Sequence, residues 1–308
     1  MGVYVIGEII RNTRLAMNMS QEKLAEGICM PNYLSRIECG KQVPQKKIYD
    51  RLMVRLESNI NQIMTSLQVD EFELLEKEWK IARAIGTFNY QEAQELLWEL
   101  EVEIDRGYLE NEQYVKFTQA ILDHQRKRVS IKEYRERLLQ SIKLTIPEYD
   151  ENWTIRRVLS RNEIVMLIDL YGTYGEEGQY EKAIGLSRKL LKYYEELYPR
   201  GNRKYYVLTL SHISKWYGLA GNHKEAIDTA KKGIFECKRL NQESAVSQFL
   251  YDIAWNLREL LEKEDTKKEE IKKACRHYIL QAYGISLAYG RIHDSLFYEK
   301  KIKLWFKE

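Results

Sequence analysis

One pentamer recurs at the start of successive helical stretches, and its spacing leaves the chain few folds to adopt. It reads Tyr90-Gln-Glu-Ala-Gln, Ile131-Lys-Glu-Tyr-Arg, Tyr180-Glu-Lys-Ala-Ile, His223-Lys-Glu-Ala-Ile and Lys267-Lys-Glu-Glu-Ile. Its fourth residue falls at 93, 134, 183, 226 and 270, at intervals of 41, 49, 43 and 44. A period of this size marks a solenoid of helical hairpins, in which each unit buries its apolar face against the next. Gly178 and Gly221 stand five residues before Ala183 and Ala226, at the turn inside each hairpin, where positive φ comes without strain. The apolar positions agree. Ala93, Leu96, Leu97, Leu100 and Ile104 share one helical face, as do Ile164, Leu167, Ile168 and Tyr171.

Composition narrows the classes further. The 308 residues, 44% hydrophobic and 31% charged with 16 Gly and 4 Pro, suffice for two domains and disfavour collagen, sandwich and disordered chains. No glycine-bearing strand-to-helix turn is found, which argues against large α/β enzymes. GxxxxGK[ST], GxSxG, HExxH and paired-Cys metal patterns are missing, and the five histidines (124, 212, 223, 277, 293) are scattered. The expectation is a protein that is not an enzyme and needs no metal or cofactor. No apolar run approaches ~18 residues, and the opening residues lack a signal peptide's basic region and apolar core. Gly2 invites myristoylation, but Ile6 stands where Ser or Thr is wanted. Cys29, Cys39, Cys237 and Cys275 form no CxxC, which reads as reduced thiols of a cytoplasmic protein.

The net charge of +3 is unevenly placed. Residues 1–60 hold 9 of the 49 Lys and Arg but 6 of the 46 Asp and Glu, leaving 40 of each elsewhere. A small basic end on a neutral body points to phosphate contact. Ile6, Ile9, Ile10 and Leu15 predict a first helix over about 4–18. Ser20 stands as an N-cap, with Lys23 in place of the Glu of a complete capping box. A short helix, Gln21–Glu26, stops at Gly27. Pro31 opens the next at a position where its missing N–H costs nothing, and that helix, Pro31–Glu38, ends before Gly40. A fourth begins near Pro44 and carries Ile48, Leu52 and Leu56. Two short helices joined by a tight turn are the helix-turn-helix arrangement.

These residues resemble the lambda-repressor/Xre class of helix-turn-helix domains: Arg11 in helix 1, Ser20 to Ala25 (SQEKLA) opening helix 2, and Leu34 to Pro44 (LSRIECGKQVP) closing helix 3. The resemblance implies a recognition face of Pro31, Asn32, Tyr33 and Arg36. An Asn amide suits adenine and an Arg guanidinium suits guanine. Gln21 and Lys41 correspond to phosphate contacts, which fix register. Arg11 and Glu38 correspond to a structural ion pair between helices 1 and 3.

The remaining body is similar to tetratricopeptide repeats, with departures: the period exceeds ~34 residues, and Tyr134 and Glu270 replace the expected Ala. The tail SLFYEKKIKLWFKE reads as a capping helix with Phe297, Ile302, Trp305 and Phe306 turned inward. The fold expected is all-α: a helix-turn-helix domain over 1–60, a linker over 61–70, and a right-handed superhelical repeat domain over 71–308. As a whole the chain resembles the Rgg/PlcR/PrgX peptide-pheromone receptors. That resemblance implies a homodimeric transcription regulator whose partners are an inverted-repeat operator in double-stranded DNA and a short signalling peptide, with no membrane. Polar groups at one- or two-turn spacing on the first helix of each unit are the candidate peptide contacts: Asn162 and Asp169, Ser211 and Lys215, Asp252 and Asn256. Arg126, Lys127 and Arg128 read as a solvated helix end or an anion-attracting cluster. The alternative is a repeat domain that serves as a protein-interaction scaffold without a peptide ligand.

Overall fold

The computed structural model describes residues 7, 10–11, 14–15, 19–56, 67, 72–155, 159–197, 204–239, 242, 245–261 and 268–306. All regular structure among them is helical. The predicted linker 61–70, apart from Leu67, and most of the predicted first helix lie outside the described residues. The chain divides into two compact units: residues 1–150 with 157–167, and residues 151–156 with 168–308.

The first unit opens with the short helices α1 (Gln21–Ala25), α2 (Pro31–Glu38) and α3 (Lys46–Arg55). Ser20 caps α1, its Oγ accepting from the Lys23 N–H at 3.1 Å. Ile10, Leu24, Leu34, Ile37, Tyr49, Leu52 and Met53 form one core, with Trp79 packed against it. Leu15, predicted to face inward, is exposed. Gly7 lets the first helix approach α2 closely, since a Cβ there would stand 2.0 Å from the Ile37 carbonyl oxygen.

The unit continues with α4 (Phe72–Gly86), α5 (Tyr90–Glu103), α6 (Leu109–Gln125) and α7 (Ile131–Thr145), and takes in the start of α8 (Arg161–Glu176). The face predicted from spacing is buried: Ala93, Leu97, Leu100 and Ile104 join one cluster with Leu75, Ile81 and Tyr114. A part-buried ion pair, Arg161 Nη1 to Glu78 Oε1 at 3.0 Å, lies beside it. Arg126 donates to the Tyr90 carbonyl at 2.6 Å and Arg128 lies 3.6 Å from Asp123, so this basic run closes a turn.

The second unit holds the rest of α8, then α9 (Tyr180–Leu197), α10 (Lys204–Leu219), α11 (His223–Arg239), α12 (Val246–Leu261), α13 (Lys268–Ala288) and α14 (Ile292–Phe306). From α9 onward, helices adjacent in sequence pack together, and α10 also packs on α12. Close approach depends on small residues. A Cβ on Gly175 would stand 2.3 Å from the Trp216 ring, and one on Gly233 2.3 Å from Phe249.

Four pentamers begin a helix, and the fifth begins one residue before α13. Their fourth residues Ala93, Tyr134, Ala183 and Ala226 are buried, but Glu270 is exposed. The position expected from Glu270 is filled instead by Ser295, four residues into α14 and 5% exposed. The tail therefore packs as a hairpin partner of α13. Tyr298 and Ile302 are its buried residues, Trp305 and Phe306 are half-buried, and Phe297 is 40% exposed, short of the inward position predicted.

The hairpin joints share one geometry. Gly178, Gly221, Gly290 and Phe88 each stand two residues before a helix with φ of 80°, 84°, 63° and 62°. In each joint the next residue's N–H returns to a carbonyl five back, as from Gln179 to Tyr174 at 2.9 Å and Asn89 to Ala84 at 2.8 Å. This is the Schellman closure, which satisfies carbonyls that the helix end leaves open. Lys127, with φ 57°, makes the same closure ahead of α7.

Candidate functional site

On the first unit, α2 begins at Pro31 and ends at Glu38, and Gly40 beyond it, with φ of 67°, lets the Lys41 N–H reach the Arg36 carbonyl at 2.8 Å. Pro31, Asn32 and Arg36 are exposed, the last two one turn apart, and Lys41 is exposed just beyond. Tyr33 is half-buried against the domain core. Three of the four predicted recognition residues thus present their side chains to solvent, and Tyr33 divides its ring between core and surface.

An ion pair fixes this helix in place, and it corrects the sequence reading. The partner of Glu38 is Arg14: Nε meets Oε1 at 2.6 Å and Nη2 meets Oε2 at 2.7 Å, while Nη1 donates to the Met19 carbonyl at 2.8 Å. Arg11 is exposed. The physical reason is helical phase. Arg14 lies one turn beyond the buried Ile10, on the face that packs inward, whereas Arg11 has turned away. Hydrogen bonding to Glu38 raises the Arg14 pKa against the opposing effect of burial. Gln21 Nε2 donates to Glu38 Oε2 at 2.7 Å, so the amide assigned to a phosphate is held in this cluster.

On the second unit, α10 and α12 line a cavity of about 900 Å³. Leu208, Ser211, His212, Lys215 and Leu219 supply one wall, and Gln248, Phe249, Asp252, Trp255 and Asn256 the other. Both sets follow the three-then-four spacing of a single helical face. Arg291, Asp294 and Phe297, at the turn into α14, complete the lining. Four of the six predicted peptide contacts, Ser211, Lys215, Asp252 and Asn256, come together here. Asn162, buried, and Asp169, half-buried, lie on α8, which contributes nothing to this cavity.

The polar groups differ in how far the fold has already engaged them. Asn256 Nδ2 donates to the Asp252 carbonyl at 2.7 Å, which leaves Oδ1 as acceptor at 2.9 Å from His223 Nδ1 and places the proton on that nitrogen. Gly218 makes room for this amide, since a Cβ there would stand 2.8 Å from Oδ1. Lys215 Nζ sits 4.4 Å over the Trp216 ring. Asp252 Oδ1 accepts from Gln248 Nε2 at 2.9 Å. Burial pushes the Asp252 carboxyl up to about 7, against the lowering effects of its hydrogen bonds and Lys215. Burial, reinforced by Lys215, pulls His212 down to about 4. Near neutrality His212 carries no charge, and Asp252 sits at its titration point.

His212, Phe249, Trp255 and Phe297 were not anticipated as lining residues. Aromatic and apolar groups at helical spacing also describe a core face, and only the matching phases of α10 and α12 separate the two. No group of His, Cys, Asp and Glu among the described residues has a metal-binding arrangement, and the four cysteines are unpaired. No described helix is long and apolar enough to cross a membrane.

Comparison with known proteins agrees with this organisation. The family model described as Helix-turn-helix matches residues 10–61. No curated protein sequence matches the chain. Among solved structures, PlcR of Bacillus thuringiensis in complex with the peptide PapR7 and DNA superposes with a TM-score of 0.58 at 22% identity, covering 92% of this chain and 98% of that one. A putative transcriptional regulator from Listeria monocytogenes EGD-e gives 0.53 at 15% identity, over 99% and 98%. ComR from S. thermophilus, in complex with DNA and its signalling peptide ComS, gives 0.52 at 14% identity, over 97% and 99%. The chain therefore carries an N-terminal helix-turn-helix domain of the Xre type and shares its all-helical fold with PlcR and ComR.

Proposed function

We propose that the chain is a cytoplasmic, sequence-specific DNA-binding transcription regulator whose repeat domain, over residues 71–308, binds a short signalling peptide and dimerises. The cavity between α10 and α12 carries this reading, because it gathers aromatic walls, the charged groups Lys215, Asp252, Arg291 and Asp294 and the amides of Gln248 and Asn256 around one space. An extended peptide offers unpaired N–H and C=O groups along its length, and such a wall can answer both. Two solved chains of the same fold were captured with DNA and a peptide. In this reading Asn32 and Arg36 read base edges, Tyr33 and Pro31 flank them, and Lys41 holds a phosphate, joined by Gln21 only through the amide hydrogen that Glu38 does not take. The dimer sets two recognition helices on an inverted repeat. Peptide occupancy then shifts DNA affinity by a coupling of ~1–3 kcal/mol.

Calorimetric titration with short peptides encoded beside the gene, paired with operator binding and sedimentation, tests the reading. Saturable binding that changes operator affinity supports it. A second reading, an interaction scaffold without a peptide, draws on the exposed apolar Leu287, Ile292, Leu296 and Leu304 of the last hairpin. Capture of a folded partner, with no saturable binding by any peptide, selects that one.

A further inference from the structure

The cavity wall contains an acid that its own surroundings leave incomplete. Asp252 is 6% exposed: Gln248 donates to Oδ1 at 2.9 Å, Ser214 stands near enough to favour the ionised form, and Oδ2 is buried without a hydrogen bond of normal geometry. No described cation that lines the cavity forms an ion pair with Asp252: Lys215, whose charge favours the ionised acid, holds Nζ over Trp216, and Arg291 Nε meets Asp294 at 2.5 Å. A buried carboxylate without a directly paired cation is unfavourable, and the arrival of one relieves it. Phe249, Trp255 and Phe297 supply aromatic surface in the same cavity, which suits the methylene stem and the charge of a cationic side chain.

We infer that Asp252 is the anchoring acid of this cavity and that its ligand is a peptide bearing an ammonium or guanidinium group, which Oδ2 receives. This inference rests on the peptide reading above and adds the ligand's charge. Burial supports it by holding the empty-cavity carboxyl near its titration point, so that a cation draws it fully into the charged form and the displaced proton leaves to solvent. His212, uncharged near neutrality, does not compete for the acid.

The full-length protein is titrated with hexapeptide pools in which one position is fixed as Lys, Arg, norleucine or Glu, each pool with a free or an acetylated amino terminus. Tryptophan fluorescence and calorimetric heat report binding. Lys or Arg pools are expected to bind at least about ten-fold more tightly than the norleucine pool. In Asp252→Asn the ratio of affinities between the Lys or Arg pools and the norleucine pool is expected to collapse toward one. A Lys or Arg preference that persists with the acetylated terminus assigns the cation to a side chain, and binding that is equal among the free pools but lost from all of them on acetylation assigns it to the amino terminus; either supports the inference. The wild-type comparison stands without the variant. Saturable binding with no Lys or Arg preference and no effect of acetylation overturns the inference and leaves the peptide reading in place. Absence of saturable binding by every pool overturns both.

Discussion

Arg14 grips Glu38 through two parallel hydrogen bonds, 2.6 and 2.7 Å long, and so ties the first helix to the end of α2. Removing one partner strands a buried charge, which typically costs about 3–5 kcal/mol. Arg14→Met is therefore expected to lower the urea midpoint of the full chain sharply, whereas Arg11→Ala changes stability by no more than about 0.5 kcal/mol. Equal effects of the two substitutions would place the ion pair wrongly.

Arg36 and Lys41 are both exposed basic groups at the end of α2, yet their proposed roles give different signatures. Arg36→Ala should relax base preference at one operator position. Lys41→Ala should weaken binding to all sequences and lower the slope of affinity against salt by about one. Uniform loss in both, measured by gel shift across a base-substitution series, rejects the assigned recognition face.

Lys127 holds a φ of 57° on an exposed turn. A side chain in the left-handed region costs roughly 1–2 kcal/mol, and glycine escapes that cost while gaining freedom in the unfolded chain. Lys127→Gly is expected to stabilise by about 0.5 kcal/mol, and Lys127→Val to destabilise by about 1 kcal/mol or more. A lower melting temperature for the glycine variant contradicts this account of the turn.

Gly175 and Gly185 make a paired test of packing. An added methyl at Gly175 meets the Trp216 ring, itself 2% exposed, while at Gly185 it meets nothing within 4 Å. Gly175→Ala should cost about 1–3 kcal/mol and shift tryptophan emission. Gly185→Ala should stabilise by up to about 1 kcal/mol through helix propensity.

Asp252 makes stability depend on pH in a direction opposite to that of most acids. Its carboxyl rises from 3.8 to about 7 in the folded chain, so the folded state binds more protons than the unfolded state between those values. Stability from this group is complete below about pH 4 and is lost as pH rises to about 7, after which it is flat. His212 acts at the other end: its pKa falls from 6.5 to about 4, and stability is lost as pH falls through that window. Asp252→Asn should remove the loss of stability between about pH 4 and 7 and be more stable than the parent at pH 8 by a few kcal/mol. Parallel urea midpoints for variant and parent from pH 5 to 8 would sink the argument.

The hairpin joints and helix starts were legible because Gly178, Gly221 and the pentamers signal backbone conformation directly. Side-chain partnership was less so. The choice between Arg11 and Arg14 depends on a helical phase that a motif alone does not fix. Ser211, Lys215, Asp252 and Asn256 were readable as polar pairs one turn apart. Asn162 and Asp169 showed a comparable pattern, but α8 contributes nothing to the cavity. Ser295 escaped notice because Ser stands in for Ala and the interval to it differs from the others. The aromatic lining was hidden by its likeness to a core stripe.

The pentamer interval varies between 41 and 49 residues, yet the closure at Phe88, Lys127, Gly178, Gly221 and Gly290 is one and the same. The longest and the shortest intervals each hold 31 helical residues, so the extra length of the longest sits in the connection between α7 and α8, residues 146–160. Unit size can therefore change between hairpins, where a longer connection shifts one row of contacts against the next, while the corner inside each hairpin keeps a single geometry.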